Sequence, residues 1–265
     1  LSYNFGINII IKKYQKMKTF KFGESKIFLH QDDLPAKIKT PKIVAIDTET
    51  TGLSLIRDRL CLIQFAFSKE ECHLVQFSKK NSKFNKNLKV LKILNDHKIQ
   101  KIFHYARFDV AILRKTFQAN IENIFCTKLA SKLVRTYTDK HGLKELCKEL
   151  LAVDLNKSQQ SSDWSSEKLS ENQIRYASHD VIHLFELKER LERMLEREKR
   201  LDIAKSLFSF LPTRIKLDLL DFTDTDIFSH WKKEMEIKTG RQVIDIEIKA
   251  LNLLKNYISE DFVKV

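Results

Sequence analysis

Two acids that close an apolar segment are the first residues in this sequence whose types and spacing could do chemistry. Residues 43–46 are apolar and mostly β-branched, which predicts a strand buried on both faces, and Asp47 and Glu49 end it. Because strand side chains alternate in direction, the two carboxylates point the same way and Thr48 points the opposite way. They would repel each other unless they were protonated or bridged by a hard divalent cation. A single Asp-x-Glu pair is more typical of a solvated turn, so a metal site requires further acids.

Two later segments contain such acids. Asp109 falls in the first turn of a helix that follows a predicted strand, where an acid by itself usually stabilises the helix N-terminus. Asp180 lies in a later helix, and Tyr176, four residues before it, shares its face beside an apolar stripe. An unpaired carboxylate that is partly buried on this face would be costly, and a metal ion would offset that cost. A strand end, a strand-to-helix junction and a helix face would have to meet to form the site.

The elements that must bring these residues together indicate an α/β domain with a mixed sheet. Strands at Arg59 to Phe67 and Glu71 to Phe77 follow the first strand as a meander of neighbours. One long helix, capped by Ser170, is predicted to run to Leu195. The other predicted elements are a helix at Leu88 to His97, a strand at Lys101 to His104, a helix at Phe108 to Phe117, a strand at Ile124 to Thr127, and helices at Lys128 to Val134 and Leu143 to Leu151. This alternation of strands and helices is typical of an α/β fold.

The composition indicates which kinds of partner and which cellular compartment to expect. A formal charge of +13, distributed along 265 residues, would attract a polyanion such as nucleic acid, although an AT-rich coding sequence would also enrich Lys. Five glycines stand at none of the spacings that dinucleotide-binding and P-loop motifs need, which excludes both classes. The four cysteines lack zinc-ligand spacing and are typical of reduced thiols in a cytoplasmic protein. No apolar run is long enough to span a bilayer and no secretory signal is evident, so no membrane partner is expected.

Three short motifs that contain the acids resemble those of the DEDD family of 3′–5′ exonucleases, which share a ribonuclease H-like fold. The motifs read Asp-Thr-Glu at 47–49, His-Tyr-Ala-Arg-Phe-Asp at 104–109 and Tyr-Ala-Ser-His-Asp at 176–180. One subclass of the family has His five residues before the last Asp, where this sequence has Arg175, so the Tyr subclass is indicated. Tyr105 departs from the family pattern, because many relatives have Asn there. Segments 59–65, 141–147, 162–164 and 210–214 are also similar to bacterial ribonuclease D, within a region from about Lys18 to His230.

The resemblance implies a ribonuclease H-like mixed sheet flanked by helices, with a site for two divalent metal ions, Mg²⁺ or Mn²⁺. It implies that Asp47 bridges both ions, that Glu49 and Asp180 complete the first, and that Asp109 holds the second, partly through water. Tyr176, with an ordinary phenol pKa of about 10, would position the attacking water by a hydrogen bond rather than act as the base. The predicted catalytic residues are therefore these four acids and the tyrosine.

The same resemblance places four residues against the nucleotide at the 3′ end. Thr50 and Leu53 would contact the terminal nucleotide, with Leu53 wedged against the bases, and His104 and Phe108 would line the same groove. Leu53 and Phe108 are equally well explained as core residues. Basic side chains available for sequence-tolerant phosphate contacts, of which about a third are expected to serve, are Arg57, Arg107, Lys128, Lys132, Lys144 and Lys157.

These expectations define one function and two alternatives. The first is a cytoplasmic, metal-dependent 3′–5′ exoribonuclease that hydrolyses phosphodiesters of RNA with a free 3′ end, above all tRNA precursors and other structured RNA. The second is a 3′–5′ DNA exonuclease of the proofreading or repair type with the same centre. The third is an inactive nucleic-acid-binding module, which is disfavoured because all four acids and the tyrosine are present.

The domain organisation is inferred from the region of resemblance. Residues 1–16 are predicted to be an extension and residues 17–230 the exonuclease domain. Residues 231–265 are predicted to be a helical tail, either an ordinary packing helix or a fragment that resembles the start of a bacterial sugar-phosphate isomerase. Since longer ribonuclease D proteins carry further helical domains, the chain is interpreted as a short form that holds only the catalytic domain.

Overall fold

The structure, a computed structural model, describes residues 18–78, 87–156, 158–222 and 227–228 of the 265-residue chain. The chain divides into two units, Leu1–Thr223 and Asp224–Val265, and every helix and strand reported below belongs to the first unit. The predicted extension at 1–16, Lys157 and the predicted tail at 231–265 lie outside the described residues. The domain limits inferred from the sequence therefore stay predictions.

Seven strands within the described residues form one mixed sheet. They are β1 (Lys18–Phe22), β2 (Ser25–Gln31), β3 (Ile43–Thr50), β4 (Leu60–Ala66), β5 (Glu71–Gln76), β6 (Gln100–Phe103) and β7 (Ile124–Cys126). Their order across the sheet is β1-β2-β5-β4-β3-β6-β7. β3, β4 and β5 are antiparallel neighbours, as the predicted meander requires, whereas β2 pairs with β5, and β6 with both β3 and β7, in parallel. The mixed α/β sheet expected from the order of the elements is confirmed.

β3 and β4 form the buried centre of the sheet. Residues 44–46 have no exposed surface, and every residue of β4 is buried. The apolar run therefore forms a strand covered on both faces, as its composition predicts. In the register of these two strands Asp47 lies opposite Gln64, and the pairing shifts at an irregularity between Glu49 and Thr50. Irregularities of this kind bend a strand and redirect its side chains, and this one falls where β3 carries its acids.

Seven helices of the described chain accompany the sheet. They are α1 (Lys89–Asn95), α2 (Ala106–Phe117), α3 (Thr127–Val134), α4 (Leu143–Leu151), α5 (Glu171–Ile182), α6 (Leu184–Arg197) and α7 (Leu201–Leu219). The prediction of a single helix from Ser170 to Leu195 is wrong, because the helix breaks at His183 into α5 and α6. One apolar stripe continues through both, but α5 packs on β3, β4 and β5 while α6 packs on α3 and α4. A helical period of apolar residues indicates that one face is buried, but it does not indicate which neighbouring element covers that face.

Two segments were given no element by the sequence patterns. β1 and β2 form a hairpin whose turn contains Gly23 in the left-handed region, with φ +61°. α7 continues through Pro212, which normally argues against a helix interior because proline lacks the backbone N–H. Phe208, Leu211 and Ile215 are buried along α7, and their packing offsets the missing hydrogen bond. Among the residues that the structure describes, no helix combines the length and apolarity needed to cross a membrane.

Candidate active site

Asp47, Glu49 and Asp180 form a compact cluster of carboxylates. Asp47 and Glu49 point the same way from the end of β3, and α5, which packs across β3, β4 and β5, brings Asp180 to them. Ligand oxygens of the three residues all lie within 4.8 Å of one another. A capping box, in which the Ser170 side chain accepts a hydrogen bond from the Gln173 N–H, starts α5 at the predicted residue. The structure thus brings three of the predicted metal ligands together.

Asp109 is held beside this cluster by Thr48. It lies in the first turn of α2, is 4% exposed, and accepts a 2.6 Å hydrogen bond at Oδ1 from the Thr48 hydroxyl. Asp109 is not one of the three residues whose oxygens lie within 4.8 Å of one another. Its charge is nevertheless the first of the three that raise the pKa of Asp47, so Asp109 belongs to the same group of acids. Sequence reasoning missed the role of Thr48, although its place between the two acids is the signal that could have found it.

Burial and mutual repulsion favour the protonated forms of these acids. The pKa of Asp47 lies well above its usual range, first because of burial and then because of the charges of Asp109, Asp180 and Glu49. Burial, followed by the charges of Asp180 and Asp109, raises the pKa of Glu49 to about 9. Burial also raises the pKa of Asp109 to about 7, although the hydrogen bond from Thr48 acts to lower it. Without a cation, protons must therefore neutralise part of the cluster.

The cluster fits a hard divalent cation. Its donors are all carboxylate oxygens, which Mg²⁺ and Mn²⁺ prefer to the sulfur and imidazole ligands typical of zinc. Oxygens within 4.8 Å of one another can contact a single ion, and that ion would replace the protons implied by the raised pKa values. Asp47, Glu49 and Asp180 are the residues that would hold it.

Tyr176 lies against the acids as a protonated phenol. Burial, then the charges of Asp180 and Glu49, raise its pKa above the usual value, and Asp180 lies one turn further along the same helix. A phenol that keeps its proton at neutral pH can donate a hydrogen bond but cannot serve as a base. Trp164, which sequence reasoning did not place at the site, packs on the Tyr176 ring with 6.0 Å between ring centroids. The predicted role of Tyr176 in positioning water stays a prediction.

Gln64 is a further residue that sequence reasoning missed. It is fully buried in β4, and its Nε2 donates to Asp47 Oδ2 at 3.5 Å, while its Oε1 has no hydrogen-bond partner within the described part of the chain. A buried amide with an unsatisfied oxygen is costly, so its presence beside Asp47 calls for a reason beyond packing. The signal in the sequence is one polar residue inside an otherwise apolar strand, LCLIQFA.

The arrangement of acids agrees with a known family. A family model described as a 3′–5′ exonuclease matches residues 30–196, a range that contains β3, α2 and α5 with all four acids. The chain belongs to the 3′–5′ exonuclease family. It is 34% identical over 171 residues to ribonuclease D of Gluconacetobacter diazotrophicus, an alignment that covers 64% of this chain and 42% of that protein. The chain thus spans less than half the length of the first curated relatives that it matches.

Solved structures of nucleases share the fold of this exonuclease chain. Brucella melitensis NrnC bound to pGG is 47% identical, with a TM-score of 0.73, and the match covers 77% of this chain and 98% of that chain. Escherichia coli RNase D, an exoribonuclease involved in structured RNA processing, is 22% identical, with a TM-score of 0.58 over 66% of this chain and 45% of that chain. At that identity the second likeness shows the fold alone. The predicted DEDD exonuclease fold and the resemblance to ribonuclease D are both confirmed.

Of the four residues predicted to contact the substrate, Leu53 is the most exposed. Its 84% exposure shows that the alternative interpretation as a core residue is wrong. Phe108 is half-buried in the first turn of α2. The Thr50 hydroxyl donates to the carbonyl two residues further on at 2.5 Å, and His104 Nδ1 is hydrogen-bonded at 2.9 Å to the hydroxyl of Thr127. The contacts of all four with a nucleotide stay predictions.

The loop that presents Leu53 is organised around the buried carboxylate of Asp58. Asp58 Oδ2 accepts a 2.8 Å hydrogen bond from the Ser54 N–H, and the Thr51 hydroxyl donates to Oδ1 at 3.4 Å. A Cβ at Gly52 would lie 2.5 Å from Asp58 Oδ2, so a side chain at this position would displace the Asp58 carboxylate. The conformation of this exposed loop is therefore set by its own hydrogen bonds.

Most of the predicted phosphate-binding residues have partners within the protein. Arg107 donates from Nε and Nη2 to the Asp218 carboxylate at 2.6 and 2.7 Å, which commits its guanidinium to α7 rather than to a phosphate. Lys128 Nζ lies 4.2 Å from the centroid of the Tyr105 ring. Among the others, Arg57 pairs with Asp58 at 3.1 Å, Lys144 pairs with Asp154 at 3.4 Å, and Lys132 is exposed.

Proposed function

We propose that this protein is a metal-dependent 3′–5′ exoribonuclease. The observation that supports the proposal is the cluster of Asp47, Glu49 and Asp180, whose oxygens lie within 4.8 Å of one another in a chain of the 3′–5′ exonuclease family. RNA is proposed as the substrate because the relatives include ribonuclease D at 34% identity and NrnC bound to pGG at 47% identity. The enzyme would be cytoplasmic, and its partner would be RNA with a free 3′ end.

The proposed roles of the residues follow from their positions. Asp47, Glu49 and Asp180 would hold one Mg²⁺ or Mn²⁺, and Asp47 with Asp109 a second. When bound, the ions supply neutralisation of the phosphate charge and a lowered pKa for the attacking water. Tyr176, which keeps its proton, would orient that water by a hydrogen bond. The water oxygen bonds to phosphorus, the 3′-oxygen of the preceding nucleotide leaves with a proton, and a nucleoside 5′-monophosphate is released.

Two lengths of RNA substrate are proposed, and the comparisons favour the shorter one. Structured RNA, with tRNA precursors first, is proposed from the resemblance to ribonuclease D, but this chain spans only 42% of that relative. Short oligoribonucleotides are proposed from the likeness to NrnC, which was solved bound to pGG and 98% of which the match covers. We therefore expect the protein to hydrolyse 5′-phosphorylated diguanylate at least as fast as it removes nucleotides from a tRNA precursor.

A 3′–5′ DNA exonuclease is the second candidate function. The observation in its favour is that the matching family model is described as a 3′–5′ exonuclease without restriction to RNA. The carboxylate cluster would act on the phosphodiester of either polymer, so the choice depends on contacts with the 2′-hydroxyl. An inactive nucleic-acid-binding module is disfavoured, because all four acids and the tyrosine are present.

The test compares 5′-labelled RNA with DNA of the same sequence and the same 3′ overhang, using the full chain. With Mn²⁺, the wild type should produce a ladder of RNA products shortened from the 3′ end, and EDTA should stop the reaction. Asp47→Asn should abolish shortening, whereas Asp154→Asn, at an exposed acid outside the cluster, should retain the wild-type rate. Undiminished shortening by Asp47→Asn would refute the proposal, and preferential shortening of the DNA would favour the second candidate.

A further inference from the structure

A buried carboxylate on α7 is tied to the motif that carries Asp109. Asp218, in the last turn of α7, has a side chain that is 3% exposed. It accepts two hydrogen bonds from Arg107, one from Nε to Oδ2 at 2.6 Å and one from Nη2 to Oδ1 at 2.7 Å. Arg214, one turn earlier on α7, adds a contact of 2.9 Å to Oδ1. Two-point guanidinium–carboxylate pairs of this kind restrict geometry as well as balance charge.

The first turn of α2 receives two side-chain contacts from outside the helix. α2 begins after Tyr105, which has a left-handed φ of 70° and makes no capping hydrogen bond through its side chain. Arg107 and Asp109 are the second and fourth residues of this helix. Thr48 of β3 donates to Asp109, and Asp218 of α7 accepts from Arg107. The motif is therefore held at two residues by two elements that are distant in the chain.

We propose that Asp218 is a positioning residue for the exonuclease site. Through Arg107 it fixes the first turn of α2, and thereby the place of Asp109 beside Asp47 and Glu49. The proposal rests on the function proposed above and adds a contribution from α7, which lies beyond residues 30–196 that the family model matches.

Arg107 and Asp218 form a charge pair whose carboxylate is buried and whose guanidinium is 33% exposed, and such a pair is costly to break from one side. Removal of the Asp218 charge leaves the guanidinium of Arg107 without a carboxylate that it now contacts through two nitrogens. Arg107 would then lose its two-point contact with α7, and the first turn of α2 would shift. A displacement of well under 1 Å at an acid beside a metal site is enough to weaken metal binding.

Mn²⁺ binding, measured by isothermal titration calorimetry on the full chain, tests the proposal without relying on RNA hydrolysis. Asp218→Asn keeps the shape of the side chain and removes its charge. The Kd for Mn²⁺ is expected to rise about tenfold and kcat to fall by a similar factor, while KM for RNA changes by less than about twofold. Asp202→Asn, in the first turn of the same helix with a side chain that is 99% exposed, is the matched control and should bind Mn²⁺ as the wild type does.

The Mn²⁺ affinity of Asp218→Asn, or of a second variant if the first does not fold, decides whether Asp218 positions the site. An unchanged Kd for Mn²⁺ in a folded Asp218→Asn protein overturns it. If circular dichroism shows that this variant does not fold, Arg107→Lys is measured instead, because it keeps the positive charge at a side chain that is 33% exposed and removes the two-point contact. Wild-type affinity in Arg107→Lys then overturns the proposal.

The Mn²⁺ measurement tests the role of Asp218 separately from the proposed RNA hydrolysis. If the wild type binds Mn²⁺ but does not shorten RNA, the proposed function fails, and the comparison of Mn²⁺ affinities still decides the role of Asp218. If the wild type binds no Mn²⁺, both are overturned.

Discussion

Replacing Asp109 with asparagine is expected to stabilise the metal-free protein even though it should disable the site. Asp109 is 4% exposed, and burial raises its pKa from an ordinary value of 3.8 to about 7. At about 1.4 kcal/mol per pKa unit, this rise corresponds to ~4 kcal/mol of lost stability once the acid is ionised in the native state. Asparagine retains an oxygen for the 2.6 Å hydrogen bond from Thr48 and removes a charge that raises the pKa of Asp47 and Glu49.

The sign of the pH dependence follows from proton binding. Between about pH 4 and pH 7 the native protein holds a proton on Asp109 that the unfolded chain has released, so the stability of the wild type falls as pH rises. The asparagine variant lacks this titration. Its advantage in the free energy of unfolding should therefore be about 1–2 kcal/mol at pH 5 and about 2–4 kcal/mol at pH 8.

Urea unfolding in EDTA at the two pH values measures this advantage. With a urea m-value of about 2 kcal/mol/M, the unfolding midpoint of Asp109→Asn at pH 8 should exceed that of the wild type by about 1–2 M. Asp154→Asn, at a side chain that is 72% exposed, is the control and should leave the midpoint unchanged. Added Mn²⁺ should stabilise the wild type more than Asp109→Asn. A variant no more stable than the wild type at pH 8, or equally favoured at both pH values, would show that burial of the ionised Asp109 does not destabilise the metal-free protein.

Three further substitutions probe the site and its scaffold. Gln64→Met should leave the thermal midpoint unchanged or raised, because it removes an unsatisfied amide oxygen, and should lower kcat about tenfold through loss of the contact with Asp47. A wild-type kcat would exclude Gln64 from the site. Burial lowers the pKa of Lys101 from 10.5 to about 8. Between these two pH values the unfolded chain therefore binds more protons than the native protein does. The stability of the wild type in urea, measured relative to that of Lys101→Met, should rise with pH over this range. The free energy of unfolding of the wild type should gain about 1–3 kcal/mol relative to Lys101→Met, and a difference that does not change with pH would contradict the prediction. Leu53→Ala should change the free energy of unfolding by less than about 0.5 kcal/mol, since the side chain is 84% exposed. The KM for RNA should rise, because Leu53 is predicted to contact the substrate. An unchanged KM would exclude Leu53 from the substrate contacts.

The elements that carry the acids could be predicted because the information for them is local. A β-branched apolar run specifies a buried strand, and the alternation of strand side chains puts Asp47 and Glu49 on one side. Ser170 marks the start of α5 through a hydrogen bond to a residue three positions away. Helical spacing puts Tyr176 and Asp180 on one face of that helix, where the charge of the carboxylate helps to raise the pKa of the phenol.

The contacts that join these elements could not be predicted in this way, because they link distant parts of the chain. Thr48 and Asp109 are 61 residues apart, and Arg107 and Asp218 are 111 residues apart. No periodic pattern specifies either pair. The break at His183 was missed for a related reason, since one apolar stripe is compatible with a continuous helix or with two helices that pack on different neighbours.

The sequence by itself determined four acids, a phenol and the local elements that carry them. Only the tertiary structure decided which carboxylates share a cluster, in which direction their pKa values move, and which distant side chains hold them. The physical reason is that burial and the proximity of charges are properties of the packed chain, whereas alternation, helical spacing and capping are properties of neighbouring residues.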